Sequence, residues 1–164
     1  MPRVIQEHIV KRVNDDFTHE DNRLYVTELL YCLRKAYFNR KVSKPLSAAQ
    51  AFYIYRGDLF DEAWTPLFKR SQISCTYRVP DRPYVIAGRA DFIDEDGAIA
   101  DLKTHANLKF LQEPQKEHVW QVTFYAYCNA IDKGRLYYVD FKNAVRFDVP
   151  ITTEQTENVL ADLS

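Results

Sequence analysis

Three β-rich segments follow one another in the middle of the chain, and they constrain its fold more than any other feature. Residues 73–79, 84–93 and 98–103 are rich in β-branched and aromatic side chains, and the last two flank the sequence Asp-Glu-Asp-Gly at 94–97. A three-residue loop with Gly97 in the left-handed conformation would join these two strands as a hairpin. The pattern therefore predicts a three-stranded antiparallel meander.

The register of this hairpin brings two acidic residues together. Asp91 lies directly opposite Asp101, and Lys103 projects from the same face, opposite Arg89. Two carboxylates about 5 Å apart repel each other unless a cation lies between them, and Mg²⁺ binds one or two protein carboxylates while keeping several waters. Lys103 would then orient an attacking water or neutralise a phosphorane-like transition state. The alternative is a solvent-exposed hairpin with weak surface ion pairs.

The flanking segments predict helices and two further strands around this meander. Residues 47–68 are predicted to form one helix, with Pro66 expected to kink or end it. This order of elements predicts an α+β or α/β sandwich around a mixed sheet, in a single domain over 1–164. The remaining predicted elements are a helix from Thr27, a helix over 117–131, strands at 135–141 and 144–149, and a helix from Thr152 or Thr153.

Charge and hydropathy exclude some classes of protein. The formal net charge is −1, so there is no global basic field, and DNA would have to bind a local patch. The chain has no apolar run of about 18 residues, and its first residues, MPRVIQEHIVKR, lack the apolar centre of a secretory signal. These features predict a cytoplasmic protein with no membrane partner. The basic residues that are either phosphate contacts or simply solvated are Arg34, Lys35, Arg40, Lys41, Lys44, Arg89, Lys109 and Lys116.

Four short motifs occur in the order found in a known family. Gly88-Arg-Ala-Asp91, Asp101-Leu-Lys103 and Gln121-Val-Thr-Phe-Tyr125 resemble the G-x-x-D, (D/E)-x-K and Q-x-x-x-Y signatures of RecB-like nucleases, which belong to the PD-(D/E)XK class. Ahead of them, Tyr31-Cys-Leu-Arg-Lys35 resembles the cysteine-x-arginine helix of the CRISPR-associated, iron-sulfur RecB-like exonucleases of spacer acquisition. The resemblance covers roughly residues 25–160.

The resemblance implies a restriction-endonuclease-like core, with a central mixed sheet flanked by helices, and hydrolysis of DNA with Mg²⁺ or Mn²⁺. It implies that Asp91 and Asp101 bind the metal, that Lys103 assists catalysis, and that Gln121 and Tyr125 hold the substrate or order the lysine. It also implies exonuclease action on single-stranded ends or flaps, with protein partners in a spacer-acquisition or recombination complex. Two alternatives stay open: a viral or recombination-repair RecB-like nuclease, and a non-catalytic DNA-binding or assembly subunit.

The chain departs from this family in two respects. Family members have a metal-binding histidine in a G-x-x-x-His motif, whereas this chain has Gly57 followed by Asp61, with Glu62 next to it. A carboxylate suits a hard metal, so Asp61 is expected to be the third ligand; the alternative is a solvated acid on a helix surface. The iron-sulfur members use four cysteines, but this chain has three, and only Cys32 matches in position. We therefore expect no iron-sulfur cluster, and a small buried thiol at Cys32.

Overall fold

The computed structural model describes residues 3–15, 22–42 and 46–163, so Lys44 lies outside the described residues. Within these ranges the chain forms a six-stranded sheet flanked by helices. The strands are β1 (Arg23–Tyr25), β2 (Arg70–Arg78), β3 (Val85–Ile93), β4 (Ile99–Thr104), β5 (Lys133–Val139) and β6 (Ala144–Pro150). The helices are α1 (Arg3–Asp15), α2 (Val26–Tyr31), α3 (Leu33–Lys41), α4 (Ala48–Trp64), α5 (Lys116–Cys128) and α6 (Thr153–Leu163), with short 3₁₀ turns at Thr65–Leu67 and Leu108–Phe110.

The sheet contains both parallel and antiparallel pairs of strands. β2, β3 and β4 form the predicted antiparallel meander, β5 lies parallel to β4, and β6 lies antiparallel to β5. β1, a strand that the sequence did not indicate, lies parallel to β3. The connection from β4 to β5 contains α5, as a parallel crossover requires. The predicted α+β class, with a mixed sheet flanked by helices, is confirmed.

The β3–β4 hairpin has the predicted turn and register. Phe92 pairs with Ala100, which is the register that sets Asp91 opposite Asp101. Gly97 has a φ of +86°, in the left-handed region where a side chain would strain the backbone. The prediction succeeds because a tight turn with a glycine at this position leaves few choices of register.

A buried arginine fastens the hairpin turn to the neighbouring strands. Arg135 on β5 is 8% exposed, and it donates to Asp94 and Asp96 in the turn and to Asp148 on β6. Its contacts with Asp96 and Asp148 measure 2.9 and 2.8 Å. These charge-assisted hydrogen bonds hold the turn against β5 and β6, so contacts outside the hairpin also stabilise its register.

The main core lies between α5 and the sheet. Val122 and Phe124 on α5 are fully buried with Leu136 and Tyr138 on β5 and Ile99 on β4. Helix α6 packs on α5, and α4 packs against β4 and α1. None of the helices in the described ranges has both the length and the apolar character needed to cross a bilayer.

Helix α1 was not indicated by the sequence, because the N-terminal segment is polar and only weakly periodic. It buries Ile9 and Val13 against Ala51 of α4. Helix α4 matches its prediction, since Ser47 caps its first turn and the α-helix ends at the residue before the turn that contains Pro66.

The single helix predicted from Thr27 is wrong. The chain forms α2 and α3 instead, separated by extended backbone at Cys32, where φ is −162° and ψ is 102°. The break redirects α3, so Leu33 and the following residues do not continue the apolar stripe of Leu29 and Leu30, which pack on the core. Cys32 is exposed, and the prediction of a buried thiol there is also wrong.

Candidate active site

A gap in one edge of β3 opens the cleft that contains three of the four predicted motifs. β2 pairs along the whole of β3 on one side, so β1 and β4 must share the other side. β1 pairs as far as Ala87 and β4 begins to pair at Phe92, which leaves the intervening edge without a partner strand among the described residues. The cleft at this gap has a volume of about 600 Å³. The polar residues that line it are Arg23, Tyr25, Thr27, Ser74, Thr76, Arg89, Asp91, Asp101, Lys103, Gln121 and Tyr125.

Asp91 and Asp101 lie where β3 and β4 part. The Leu102 N–H donates to Oδ2 of Asp91 over 2.5 Å, so the side chain accepts a backbone hydrogen bond where the strand ladder stops. Asp101 is 3% exposed, and its Oδ2 is buried without a hydrogen-bond donor among the described residues. Nζ of Lys103 lies 2.6 Å from that oxygen, so the two groups form a close ion pair.

Burial and mutual repulsion perturb both carboxyl groups. Burial, followed by the charge of Asp101, raises the pKa of Asp91 to about 8. Burial also raises the pKa of Asp101, against the opposing effect of the nearby Lys103 charge. For Lys103, burial lowers the pKa, but the charge of Asp101 outweighs burial and the pKa is raised. Lys103 is therefore a cation at neutral pH and pairs with Asp101, whereas Asp91, with a pKa of about 8, is mostly protonated until a cation lies beside it.

These residues fit a hard divalent cation. The paired carboxylates offer oxygen ligands alone, which Mg²⁺ and Mn²⁺ prefer, and both line the open cleft. When Asp91 is also ionised, the two carboxylates and one lysine carry a net negative charge that a metal ion would balance. Asp91 and Asp101 are the residues that would hold such an ion.

A chain of hydrogen bonds from α5 holds the lysine. Nζ of Lys103 donates to Oε1 of Gln121 over 2.9 Å, and Nε2 of Gln121 donates to the Tyr125 hydroxyl over 2.5 Å. Gln121 is 4% exposed and Tyr125 is 2% exposed, so the chain lies inside the protein behind the lysine. The two residues share a face of α5 because they are four apart. This arrangement restricts the Lys103 ammonium to the position beside Asp101.

The close packing of Tyr125 explains the glycine of the G-x-x-D motif. A Cβ on Gly88 would lie 2.5 Å from Cε1 of Tyr125 and 3.0 Å from Cγ1 of Val26, which is too close for either contact. Gly88 thus lets the Tyr125 ring approach β3, and the ring in turn positions Gln121.

We expect Gly88→Ala to destabilise the protein by roughly 1–3 kcal/mol, because the added methyl group must displace the Tyr125 ring. Urea unfolding followed by circular dichroism measures this change. The matched control is Gly57→Ala on α4, where nothing lies within 4 Å of the new Cβ, and where a gain of about 0.5–1 kcal/mol is expected from helix propensity. Equal effects of the two substitutions would contradict the packing argument.

Asp61 does not join the paired aspartates as predicted. Its carboxylate accepts hydrogen bonds from the Thr65 hydroxyl over 2.5 Å and from the Gln72 amide over 3.2 Å, at the junction of α4 and β2. Its charge does raise the pKa of Asp91 and of Asp101. Across the described ranges, however, no three His, Cys, Asp or Glu side chains are grouped so that they could hold a metal ion. In this structure Gln72 and Thr65 bind the Asp61 oxygens, and the role of Asp61 as a third ligand stays a prediction.

The predicted basic residues have different environments. Arg34, Lys35 and Lys41 are exposed on α3, and Arg89 is exposed at the cleft. Arg40 instead forms an ion pair of 2.6 Å with Glu28 and donates to the backbone carbonyl of Arg23 over 2.7 Å. Its guanidinium has a structural role, so Arg40 differs from the prediction of a phosphate contact.

The cleft includes residues that sequence reasoning missed. Arg23 and Thr27 enter it from β1 and α2, and Ser74 and Thr76 enter it from β2. β1 has three residues, which is too short for an alternating pattern to be recognised, and its pairing with β3 is a long-range contact. The basic side chain of Arg23 was the available signal in the sequence, but no motif around it indicated that it belongs to the site.

Cys75 and Cys128, unlike Cys32, lie within the protein. Cys75 is buried and Cys128 is half-buried. Burial raises the pKa of Cys75, and it raises the pKa of Cys128 to about 12, so both thiols are held in the protonated form that metals bind poorly.

The fold and the site together define a class of protein. A mixed α+β sheet, with an acidic residue and an acidic-x-lysine pair at the point where two antiparallel strands part, is the restriction-endonuclease-like arrangement. Residues 4–163 match the family of the PD-(D/E)XK nuclease superfamily, and the chain belongs to this superfamily. The predicted membership in the PD-(D/E)XK class is thereby confirmed.

Solved structures share this fold. The crystal structure of SSO0001 is 21% identical, with a TM-score of 0.77, and the match covers 98% of this chain and 84% of that one. The alkaline exonuclease LHK-Exo from Laribacter hongkongensis is 8% identical, with a TM-score of 0.62 over 87% of this chain and 84% of that one. Its complex with dAMP gives 9% identity and a TM-score of 0.59 over 97% and 89% of the two chains. No curated protein sequence matches the chain.

Proposed function

We propose that this chain is a metal-dependent deoxyribonuclease that hydrolyses phosphodiester bonds at single-stranded DNA ends or flaps, in a single RecB-like nuclease domain. The observation that carries the proposal is the juxtaposition in one cleft of the Asp91 carboxyl group, the buried Asp101 carboxylate and the Lys103 ammonium, which lies 2.6 Å from Oδ2 of Asp101. The complex of LHK-Exo with dAMP, a nucleotide, agrees with a nucleic-acid substrate. The proposed cofactor is Mg²⁺ or Mn²⁺, without an iron-sulfur cluster.

Each residue of the site has a proposed role. Asp91 and Asp101 hold the ion, which, when bound, polarises the scissile phosphate and lowers the pKa of a water molecule. Lys103 neutralises charge on the phosphate oxygens as the bond to the leaving group breaks, because its ammonium is held in place by Gln121. Tyr125 positions Gln121 through the hydrogen bond between them. Arg89 and Arg23, which line the cleft, contact phosphates of the DNA strand.

The pathway is proposed from the sequence. The Tyr31–Lys35 motif favours spacer acquisition in CRISPR antiviral defence, with protein partners of that complex, over a viral or recombination-repair nuclease. A non-catalytic DNA-binding or assembly subunit is the second candidate function, and one observation favours it: Asp61, at the position of the expected third ligand, is bound by Thr65 and Gln72.

Incubating end-labelled single-stranded and duplex DNA with Mg²⁺, Mn²⁺ or EDTA tests the proposed activity. We expect the single strand to shorten from one end with either metal and to stay intact in EDTA, because the two buried carboxylates need the ion to act on a phosphate. Labels at the 5′ and 3′ ends identify the end that is cut. Cutting in EDTA would refute the mechanism, and DNA binding without cutting in either metal would support the non-catalytic subunit.

A further inference from the structure

Helix α3 exposes its aromatic side chains and half-buries a charged one, which is the reverse of an ordinary surface helix. None of its nine residues is buried, and the residues that are half-buried are Ala36 and the charged Arg40. Its aromatic residues face outward instead, with Tyr37 58% exposed and Phe38 51% exposed. Surface helices usually bury their apolar face and expose their charges. The outward rings of α3 therefore make no contribution to the core.

An ion pair, rather than apolar packing, fastens α3 to the protein. Arg40 donates to both carboxylate oxygens of Glu28 on α2, over 3.0 and 2.6 Å, and to the carbonyl of Arg23 on β1. Glu28 also accepts from the Tyr25 N–H over 2.8 Å. Because Arg23 lines the cleft, the same contacts that hold α3 also fix its position relative to the cleft.

The outward side of α3 combines rings with cations. The Tyr37 and Phe38 rings lie 5.4 Å apart, edge to face, and the Arg34 guanidinium lies 6.0 Å from the centre of the Phe38 ring. Arg34, Lys35 and Lys41 are exposed, and no carboxylate among the described residues pairs with them. Although the net charge of the chain is −1, the outward side of α3 thus carries both unpaired cations and aromatic rings.

Tyr31 links this helix to the cleft. It is the last residue of α2, 56% exposed, and its ring meets the edge of His118 on α5 with centroids 6.3 Å apart. Tyr31 lies four residues after Thr27, which lines the cleft, so the two side chains share a face of α2. A series of exposed rings thus begins beside the cleft with Tyr31 on α2 and continues with Tyr37 and Phe38 on α3. We call these three residues the aromatic platform.

We propose that the aromatic platform stacks the bases of single-stranded DNA as the strand passes between the cleft and the outer surface of α3, while Arg34, Lys35 and Lys41 bind its phosphates. The proposal deepens the proposed function and rests on it. A single strand presents flat apolar base faces and a line of negative charge, which are the two features that exposed rings and unpaired cations recognise together. In duplex DNA the bases are stacked inside and cannot reach the rings, so the platform selects single strands.

A binding measurement in EDTA tests the platform independently of cleavage. We expect the double variant Tyr37→Ala, Phe38→Ala to weaken binding of a fluorescent oligothymidine of about 16 nucleotides by roughly tenfold to a hundredfold, from the stacking lost per base. We expect binding of an oligothymidine of about 4 nucleotides to change less than threefold, because so short a strand occupies the cleft alone. A threefold change is roughly 0.6 kcal/mol of binding free energy. The matched control is Phe141→Ala, which removes a ring that is 79% exposed on the β5–β6 turn and is expected to leave both affinities unchanged.

Salt dependence separates the rings from the cations. We expect Arg34→Gln with Lys35→Gln to reduce the slope of log affinity against log salt concentration by roughly 0.7 for each lost phosphate contact, whereas the ring variant keeps the wild-type slope. Unchanged binding of the longer oligonucleotide by the ring variant would overturn the proposal. So would an equal loss in Phe141→Ala, or a wild-type oligomer in light scattering that the ring variant dissociates, since α3 would then be a protein interface. If wild-type protein cuts no DNA but the ring variant still weakens binding, the platform stands and the proposed nuclease activity fails.

Discussion

Replacing Asp101 with asparagine is expected to lower the rate of metal-dependent DNA cleavage by about three orders of magnitude or more, because the substitution removes a carboxylate that holds the ion. Cleavage of end-labelled single-stranded DNA in Mn²⁺ measures the rate. The matched control is Glu95→Gln, which removes an exposed carboxylate from the turn of the same hairpin and is expected to leave the rate unchanged. A rate in Asp101→Asn within a few-fold of wild type would exclude Asp101 as a ligand.

The same substitution is also expected to change how the stability of the metal-free protein depends on pH. Burial, followed by the charge of Asp101, raises the pKa of Asp91 to about 8 in the folded state, above the ordinary value of about 3.9. A raised carboxyl pKa means that ionisation opposes folding. The cost is absent below pH ~4 and grows as the pH rises towards 8. Asp101→Asn removes the charge that helps to raise the pKa of Asp91, so we expect it to flatten the fall of stability with pH between about 4 and 8 in EDTA, as measured by urea unfolding.

A thermal melt tests the ion directly, without a cleavage readout. Mn²⁺ is expected to raise the melting temperature of the wild-type protein, since an ion that binds the folded state stabilises it, and to have little effect on Asp101→Asn. An equal Mn²⁺ shift in the two proteins would place the ion elsewhere.

Replacing Lys103 with alanine is expected to lower the cleavage rate roughly a hundredfold to a thousandfold while changing the affinity for DNA little. The Lys103 ammonium lies inside the site, 2.6 Å from Asp101 and 2.9 Å from Gln121, so its proposed role is to act on the reacting phosphate rather than to attract the strand. Single-turnover cleavage gives the rate, and fluorescence anisotropy in EDTA gives the affinity. Lys142→Ala, which removes an exposed lysine from the β5–β6 turn, is the control and is expected to keep the wild-type rate.

Two outcomes would change the role of Lys103. A loss of binding with an unchanged rate would make it a phosphate-binding residue and not a catalytic one. A normal rate with Lys103→Ala would show that the metal alone neutralises the transition state. The variant leaves the two buried carboxylates without their lysine, so circular dichroism in the presence of Mn²⁺ establishes that it is folded before the rate is compared.

The sequence by itself determined the hairpin and the pair of aspartates that it carries. The turn residues 94–97, the left-handed Gly97 and the alternation along two adjacent strands are local properties, so they specify that Asp91 faces Asp101. The spacing of Gln121 and Tyr125 was equally local, because residues four apart share a face of a helix.

Only the tertiary structure decided the parts of the site that depend on partners far apart in the chain. Asp61 had the position of a metal ligand, but Gln72, brought to it by the junction of α4 and β2, binds its oxygens. Arg40 was predicted from the sequence as a phosphate contact, but Glu28, on the other side of the break at Cys32, binds its guanidinium. A sequence pattern indicates which residues are suited to burial and which carry charge. It does not indicate which distant group pairs with a given polar side chain, because that depends on how the helices and strands pack.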